Sequence, residues 1–190
     1  MNVPPQTNEI FEILSKGQFI CSNSTHEKIQ KLYEIMDEKV TFENLSEYFS
    51  KININLEKGD EYFVFSRQEA KADLERKIET ASKWIDILDF VKTFENSFGS
   101  GYRFSPSDID VKVRMDVNLK DKMEGLKKYT GEGSYTDRIK KILDMLAKDG
   151  FIELENTIVN QYKVLASIKY LENLVLSIAI PEEIQHEIPE

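Results

Sequence analysis

The stretch ININLEKGDEYFVF, residues 52–65, decides the fold of this chain. Its apolar residues first alternate, at Ile52, Ile54 and Leu56, with the two-residue period of a β-strand. The polar segment Glu57-Lys58-Gly59-Asp60 has the composition of a turn, and the run Tyr62-Phe63-Val64-Phe65 has that of a second strand. The stretch therefore predicts a β-hairpin.

Three short helices are predicted before this hairpin. Apolar residues recur there every three or four positions, as on the buried face of a helix, at Ile10, Phe11 and Leu14, at Ile29, Leu32, Tyr33 and Met36, and at Phe42, Leu45, Tyr48, Phe49 and Ile52. The extended segment Phe19-Ile20-Cys21 separates the first helix from the second. Three helices closed by a hairpin are the order of a winged-helix unit, in which the third helix is the recognition element and the hairpin is the wing.

A long helical pattern without Gly or Pro runs from Ser66 to about Phe98 and leads into a second group of helices. Helix-start signals stand at Ser24, Ser66, Ser105 and Ser134, each with an acidic residue three positions on. Residues 109–117 alternate like a strand, but the Ser-Pro-Ser-Asp start at 105–108 favours a helix, which we predict. The segments 151–154 and 162–165 flank an Asn-containing turn and predict a second hairpin. A last helix is predicted to end at Pro181.

The repeated order predicts a mainly α protein with small β-hairpins (α+β), built as tandem winged-helix domains joined by a long helix. We expect an N-terminal winged-helix unit over residues 1–66 and a connecting helix over 67–98 that is shared with the second unit. A C-terminal winged-helix unit is expected over 99–180, followed by an acidic tail over 181–190 that frays.

Composition and charge narrow the class of protein. With 25 basic and 34 acidic side chains, the 190-residue chain has a net charge of −9, which repels nucleic acid and fits a protein-binding subunit better than an autonomous DNA binder. Cys21 is the only cysteine, so no intramolecular disulfide forms and a reducing compartment is expected. No leader or membrane-length apolar run is evident. We predict a cytoplasmic protein with no membrane contact.

A search for chemistry finds no motif that holds. His26 and His186 lie far apart in the chain, and the segment Gly131-Glu132-Gly133 lacks the other residues of a phosphate-binding loop. Asp86 and Asp89 are expected to face solvent, and Cys21 is expected to be a small core residue. We therefore predict no enzyme, no cofactor, no metal site and no small-molecule substrate.

Two groups of residues are candidates for contacts with other molecules. A basic group suited to a phosphate backbone comprises Lys127, Lys128, Arg138, Lys140, Lys141 and Lys148. Acidic residues are interleaved with it, so an ordinary solvated face is the alternative. An aromatic group on the two wings, suited to a protein partner, comprises Tyr62, Phe63, Phe65 and Tyr162. Its alternative is a wing sandwiched between its own unit and the long helix.

The whole arrangement resembles the kleisin-interacting tandem winged-helix proteins, which include MukE and the related MksE-type and Wadjet-type subunits. The likeness covers most of the chain. It rests on residues 11–20 (FEILSKGQFI), on LSEYF at 45–49 before YFVF at 62–65, on WIDIL at 84–88, and on the stretch from Asp137-Arg138-Ile139 through Gly150-Phe151.

This resemblance implies a function. Members of the family are dimeric, non-catalytic subunits that grip a kleisin, which bridges an SMC ATPase in complexes for chromosome organisation or plasmid defence. It implies a nucleoid-associated homodimer that contacts a kleisin and is a candidate for direct DNA contact. The alternative is a stand-alone winged-helix transcriptional regulator, which the tandem hairpins permit and the net charge disfavours.

Overall fold

The computed structural model describes residues 3–66 and 74–184 of the chain. Helices dominate: α1 Thr7–Leu14, α2 Glu27–Asp37, α3 Lys39–Ser50, α4 Leu74–Phe94, α5 Pro106–Met115, α6 Val117–Gly125, α7 Lys127–Thr130, α8 Tyr135–Lys148 and α9 Ile168–Ile184. The strands are β1 Ile20–Cys21, β2 Asn55–Lys58, β3 Tyr62–Ser66, β4 Arg103–Phe104, β5 Ile152–Asn156 and β6 Gln161–Val164. The prediction of a mainly helical α+β protein with small hairpins is confirmed.

The strands form two small antiparallel sheets of the same topology, β1-β3-β2 and β4-β6-β5. The hairpin predicted over residues 52–65 is present, with Leu56 opposite Phe65 and Glu57 opposite Val64. The order helix, strand, helix, helix, hairpin occurs twice, first from α1 to β3 and again from α4 to β6, where α6 and α7 are added between α5 and α8. This is the order that the sequence predicted for two winged-helix units.

Each half has its own hydrophobic core. In the first half, α1, α2, α3 and β3 contribute side chains that are almost completely buried: Ile10, Leu14, Leu32, Met36, Leu45, Phe49 and Phe63. In the second half, the core is larger and includes residues of α4 from Trp84 to Phe94 together with residues of α5, α6, α8, β5, β6 and α9. The described part of the long helix therefore packs with the second half of the chain.

The predicted helix starts have different outcomes. Ser105 and Ser134 cap α5 and α8, each accepting a hydrogen bond from the backbone N–H three residues on, and Ser105 forms a capping box with Asp108. Residues 106–115 are helical, as predicted from this start. The prediction at Ser24 is wrong, because α2 begins only at Glu27 and the Ser24 hydroxyl donates to Glu153. Ser66 is the last residue of β3, and the residues that follow it lie outside the described part of the chain.

Two other predictions near the ends of elements are also wrong. The last helix does not end at Pro181, since α9 continues to Ile184. Ile52 is not part of the first hairpin: β2 begins at Asn55, and the Ile52 side chain is 54% exposed in the turn that follows α3. The alternating apolar residues Ile52, Ile54 and Leu56 therefore do not all belong to one strand, because only Leu56 lies in β2.

The two halves meet at a joint made by the loop between β1 and α2. The Glu153 carboxylate on β5 accepts hydrogen bonds from the Ser24 hydroxyl at 2.8 Å, from the Thr25 backbone N–H at 2.6 Å and from the Thr25 hydroxyl at 2.7 Å. Asn23 donates to the Val164 carbonyl at 3.1 Å and accepts from the Ala166 backbone N–H at 2.9 Å. This polar network fixes the orientation of the halves.

Apolar contacts extend the same joint. Tyr62 of the first hairpin lies in a small buried cluster with Leu165 and Ala166 of the second half, and the Phe19 ring contacts both Tyr62 and Phe151. Because buried polar groups are satisfied and the surrounding surface is apolar, the joint resembles a domain core more than a mobile linker.

Candidate interaction surfaces

The lysines that begin the basic group are held by carboxylates of the same chain. Lys127 contacts Glu124 at 2.7 Å and Glu132 at 3.6 Å, and Lys128 contacts Asp86 at 2.7 Å. Hydrogen bonding to these acids raises the pKa of both lysines. Because these acids partly neutralise their charge, the two lysines attract a phosphate group less strongly.

Arg138 lies inside the protein, with 1% of its side chain exposed. Its guanidinium donates to the Glu124 carboxylate at 2.9 Å, to the Thr130 hydroxyl at 3.3 Å and to the Met123 carbonyl. It thereby ties α8 to the end of α6 and to α7. Burial removes Arg138 from any phosphate-binding face, a correction to its selection as a DNA-contact candidate. In the sequence, Arg138 stands beside apolar residues, and that pattern does not distinguish a buried arginine from an exposed one.

The other three candidates, Lys140, Lys141 and Lys148, are exposed on α8. Lys141 also donates to the Thr130 carbonyl at 2.6 Å. The same face of α8 carries the exposed residues Asp137 and Asp144, so its charge is mixed. With three lysines and two aspartates, the exposed face of α8 has a small excess of positive charge.

The aromatic candidates are used within the chain. Phe63 is completely buried in the first core and Tyr62 is 6% exposed in the joint, so neither is available to a second chain in this conformation. Phe65 is half-buried against Phe49, with ring centroids 4.7 Å apart. Tyr162 is half-buried and stacks on Phe104 at 5.9 Å. The wing residues thus pack within the chain: Phe63 and Phe65 lie against their own half, and Tyr62 lies against Leu165 and Ala166 of the second half.

The outer face of α3 is a surface that the sequence analysis did not identify. Tyr48 and Ile52 were expected to be buried with Leu45 and Phe49, but they are 42% and 54% exposed, and Val40 is 68% exposed. Val40 and Tyr48 lie on α3, about 80° apart around the helix axis, and Ile52 lies in the turn after it, so the three residues are exposed separately and do not form one row. The spacing of Tyr48 did not show whether its side chain points inward or outward.

Two other places expose apolar side chains. At the tip of the second hairpin, Ile158 is 93% exposed and Val159 is 59% exposed. Their backbone N–H groups donate to the Asn156 side chain, which holds the turn in one shape. Where α5 meets α6, Met115 and Val117 are 81% and 74% exposed. Single exposed apolar residues are common, but residues grouped in this way are typical of contact surfaces.

The carboxylate pair of α4 lies against the neighbouring helices. Asp86 accepts a hydrogen bond from the Tyr129 hydroxyl at 2.7 Å and pairs with Lys128, while Asp89 pairs with Lys122. Burial raises the pKa of Asp86, but hydrogen bonds from Lys128 and Tyr129 outweigh it and hold that pKa below its ordinary value. Both carboxylates anchor α6 and α7 to the long helix.

A cleft of about 250 Å³ opens at the joint between the halves. Cys21 and Glu153 are among its lining residues. Burial raises the pKa of the Cys21 thiol to about 11, so it is protonated at neutral pH, and Glu153 is already engaged by Ser24 and Thr25. The thiol is the buried core residue that the sequence predicted.

Within residues 3–66 and 74–184, no group of three or more His, Cys, Asp and Glu side chains is placed to hold a metal ion. In the same described ranges, no helix combines the length and the apolar character needed to cross a membrane.

A comparison with protein families matches residues 5–175 to the family described as condensin complex protein MksE. The matched range contains both helix-and-hairpin halves and the long helix between them. A comparison with curated proteins gives no match.

Proposed function

This chain belongs to the MksE family of condensin complex proteins, and from that premise we propose that it is a non-catalytic accessory subunit that binds a kleisin. Through the kleisin it would join an SMC ATPase in a complex for chromosome organisation or plasmid defence. Such a role places it in the cytoplasm, at the nucleoid, as a homodimer.

The family match over residues 5–175 carries this proposal, because it spans both halves and not one winged-helix-like half alone. The joint around Glu153 supports the same conclusion, since a subunit that bridges partners needs its two halves held in one orientation.

The surface chemistry also supports a bridging role. The exposed groups noted above are mostly apolar or acidic, in keeping with the net charge of −9. Protein partners accept such surfaces, whereas DNA affinity depends on clustered Lys and Arg. We propose DNA contact as a second, weaker activity of α8, through Lys140, Lys141 and Lys148. The stand-alone regulator is not favoured.

Co-expression with a kleisin from the same genome tests the proposal. We expect a stable complex in size-exclusion chromatography, with a mass that contains two copies of this chain, and recruitment of the SMC ATPase only when the kleisin is present. Failure of the chain and the kleisin to co-purify at several salt concentrations would contradict kleisin binding. Sequence-specific, tight binding of an operator by the chain alone would favour the regulator.

A further inference from the structure

Two apolar features of the second half lie at opposite ends of one strand. Strand β5 begins at Ile152, which lines the cleft at the joint, and it ends at Asn156, whose side chain holds the hairpin tip. At that tip, Ile158 is 93% exposed and Val159 is 59% exposed. The chain therefore presents an exposed apolar tip and a cleft that are separated by about the length of this strand.

The cleft suits a small apolar group. Its walls carry half-buried apolar side chains from the first half and an exposed one from the second: Ile13, Phe19, Ile29 and Ala147. At about 250 Å³ the cleft is smaller than the pockets of roughly 300 to 1,000 Å³ that hold drug-sized ligands. This size fits one or two aliphatic side chains and not a cofactor.

The strand between the tip and the cleft has a free outer edge, because the order β4-β6-β5 places β5 at the side of its sheet. Ile152 lies opposite Val164, whose N–H donates to the Tyr102 carbonyl at 2.8 Å, on the side away from β5. Both residues of such a pair point their N–H and C=O groups away from the partner strand. Leu154, two positions on, has the same outward orientation and is 41% exposed. Among the described residues, no hydrogen bond reaches its N–H or C=O.

Neither the tip nor the cleft is strongly charged. The tip segment 156–161, NTIVNQ, contains no charged residue, and the adjacent Glu155 pairs with Arg103 at 2.6 Å. In the described part of the chain, no Lys or Arg lines the cleft, and the Glu153 carboxylate is already engaged at the joint. Without cations, neither feature suits a phosphate backbone. Two chains can meet here although each has a net charge of −9.

A second copy of the chain fits this arrangement. Two β5 strands set side by side and antiparallel, with a two-fold axis at Leu154, bring the tip of each chain to the cleft of the other. In that register Ile158 and Val159 lie near residue 150 of the second copy, and Gly150 lines the cleft. We propose that the chain forms a homodimer in which the β5 edges pair and each hairpin tip inserts Ile158 and Val159 into the joint cleft of its partner. This inference rests on the homodimer of the proposed function and assigns its interface.

Sedimentation of the full-length chain over a range of concentrations tests the interface. The variant Ile158→Asp/Val159→Asp should raise the dissociation constant of the dimer by about a hundredfold or more, because it places charge in an apolar cleft. The matched control is Val111→Asp/Met115→Asp on α5, which adds the same charge at two apolar residues that are 57% and 81% exposed. This control should leave the dissociation constant within about twofold of the wild-type value.

A disulfide between the tip and the cleft gives an independent readout. After oxidation, Ile158→Cys/Ala147→Cys should run as a covalent dimer on a non-reducing gel. Each single variant should remain a monomer there, because two tips or two clefts do not meet in the proposed dimer. Cys21 is present and buried in all of these variants, so it contributes equally to each.

The outcomes separate the interface from the proposed function. If the wild type and the tip variant dimerise equally well and the cysteine pair gives no covalent dimer, the interface is wrong and the homodimer uses another surface. Dissociation of the α5 control alone also overturns the inference, as does a tip variant that stays dimeric but loses the kleisin. A wild-type chain that is monomeric both alone and in its complex with a kleisin overturns the homodimer and the interface together, while kleisin binding stands.

Discussion

The guanidinium of Arg138 donates to the carboxylate of Glu124 at 2.9 Å, although 1% of the arginine side chain and 39% of the glutamate side chain are exposed. The charge of a buried arginine is thus balanced by an acid at the rim. The Met123 carbonyl and the Thr130 hydroxyl accept its other hydrogen bonds. Arg138 therefore holds the ends of three helices together from the inside.

Substitution of Arg138 by Ala should destabilise the protein by about 1 to 3 kcal/mol, because it leaves buried acceptors, among them the Met123 carbonyl, without this donor. Urea unfolding followed by circular dichroism measures the change. Arg138→Lys should recover only part of the loss, since an ammonium cannot reproduce the fork of a guanidinium.

Arg114→Ala is the matched control for this prediction. Arg114 pairs with Asp110 one turn away on α5, and its side chain is 56% exposed. Its removal should hardly move the urea midpoint, as expected for surface pairs. Equal losses from Arg138→Ala and Arg114→Ala would show that the buried network contributes little.

Substitution of Glu153 by Ala should loosen the joint between the halves. The change removes the acceptor of the hydrogen bonds from Ser24 and Thr25, at a cost of about 1 to 3 kcal/mol for donors left buried without a partner. Amide hydrogen exchange should rise in the loop over residues 22–26. The neighbouring variant Glu155→Ala breaks only the exposed pair with Arg103, so the loop should keep its protection there.

The Cys21 thiol makes stability depend on pH in the alkaline range. Burial raises its pKa from an ordinary value of 9.0 to about 11. The folded state therefore holds the proton more tightly than the unfolded state. Stability is fully present below pH 9 and falls as the pH rises towards 11, by roughly 3 kcal/mol in total at about 1.4 kcal/mol per pH unit.

Comparison with Cys21→Ala isolates this effect from that of other groups that titrate at high pH. The stability advantage of the wild type over the variant, measured by urea unfolding, should shrink between pH 8 and pH 11. A difference that stays constant over this range would mean that the thiol is not the titrating group. At neutral pH the native wild type should also react with maleimide far more slowly than the urea-unfolded chain.

Local patterns predicted the elements well, since each depends on neighbours in the sequence. The hairpin at 52–65 follows from alternation and a turn, and α5 follows from the cap at Ser105. Residue environments were harder to predict. Ser24 has the sequence of a helix cap but bonds Glu153, 129 residues away, and no local rule contains that contact. The spacing of Tyr48 fits an inward position as well as an outward one, and only the packing of α3 decides between them.

The lysines on α8 predict a specific salt dependence of DNA binding. If α8 contacts the phosphate backbone, each of Lys140 and Lys148 releases counterions, and Lys140→Ala/Lys148→Ala should reduce the slope of log K against log salt by about 2. The loss of DNA affinity in the double variant should be the same for different DNA sequences, because phosphate contacts carry no sequence information. Fluorescence anisotropy with two unrelated duplexes, titrated at several salt concentrations, measures both effects. Lys127→Ala is the control, since Lys127 is already paired with Glu124 and Glu132. An unchanged slope in the double variant would exclude α8 as the DNA contact. An equal reduction of the slope in Lys127→Ala would show that the contact is not confined to α8.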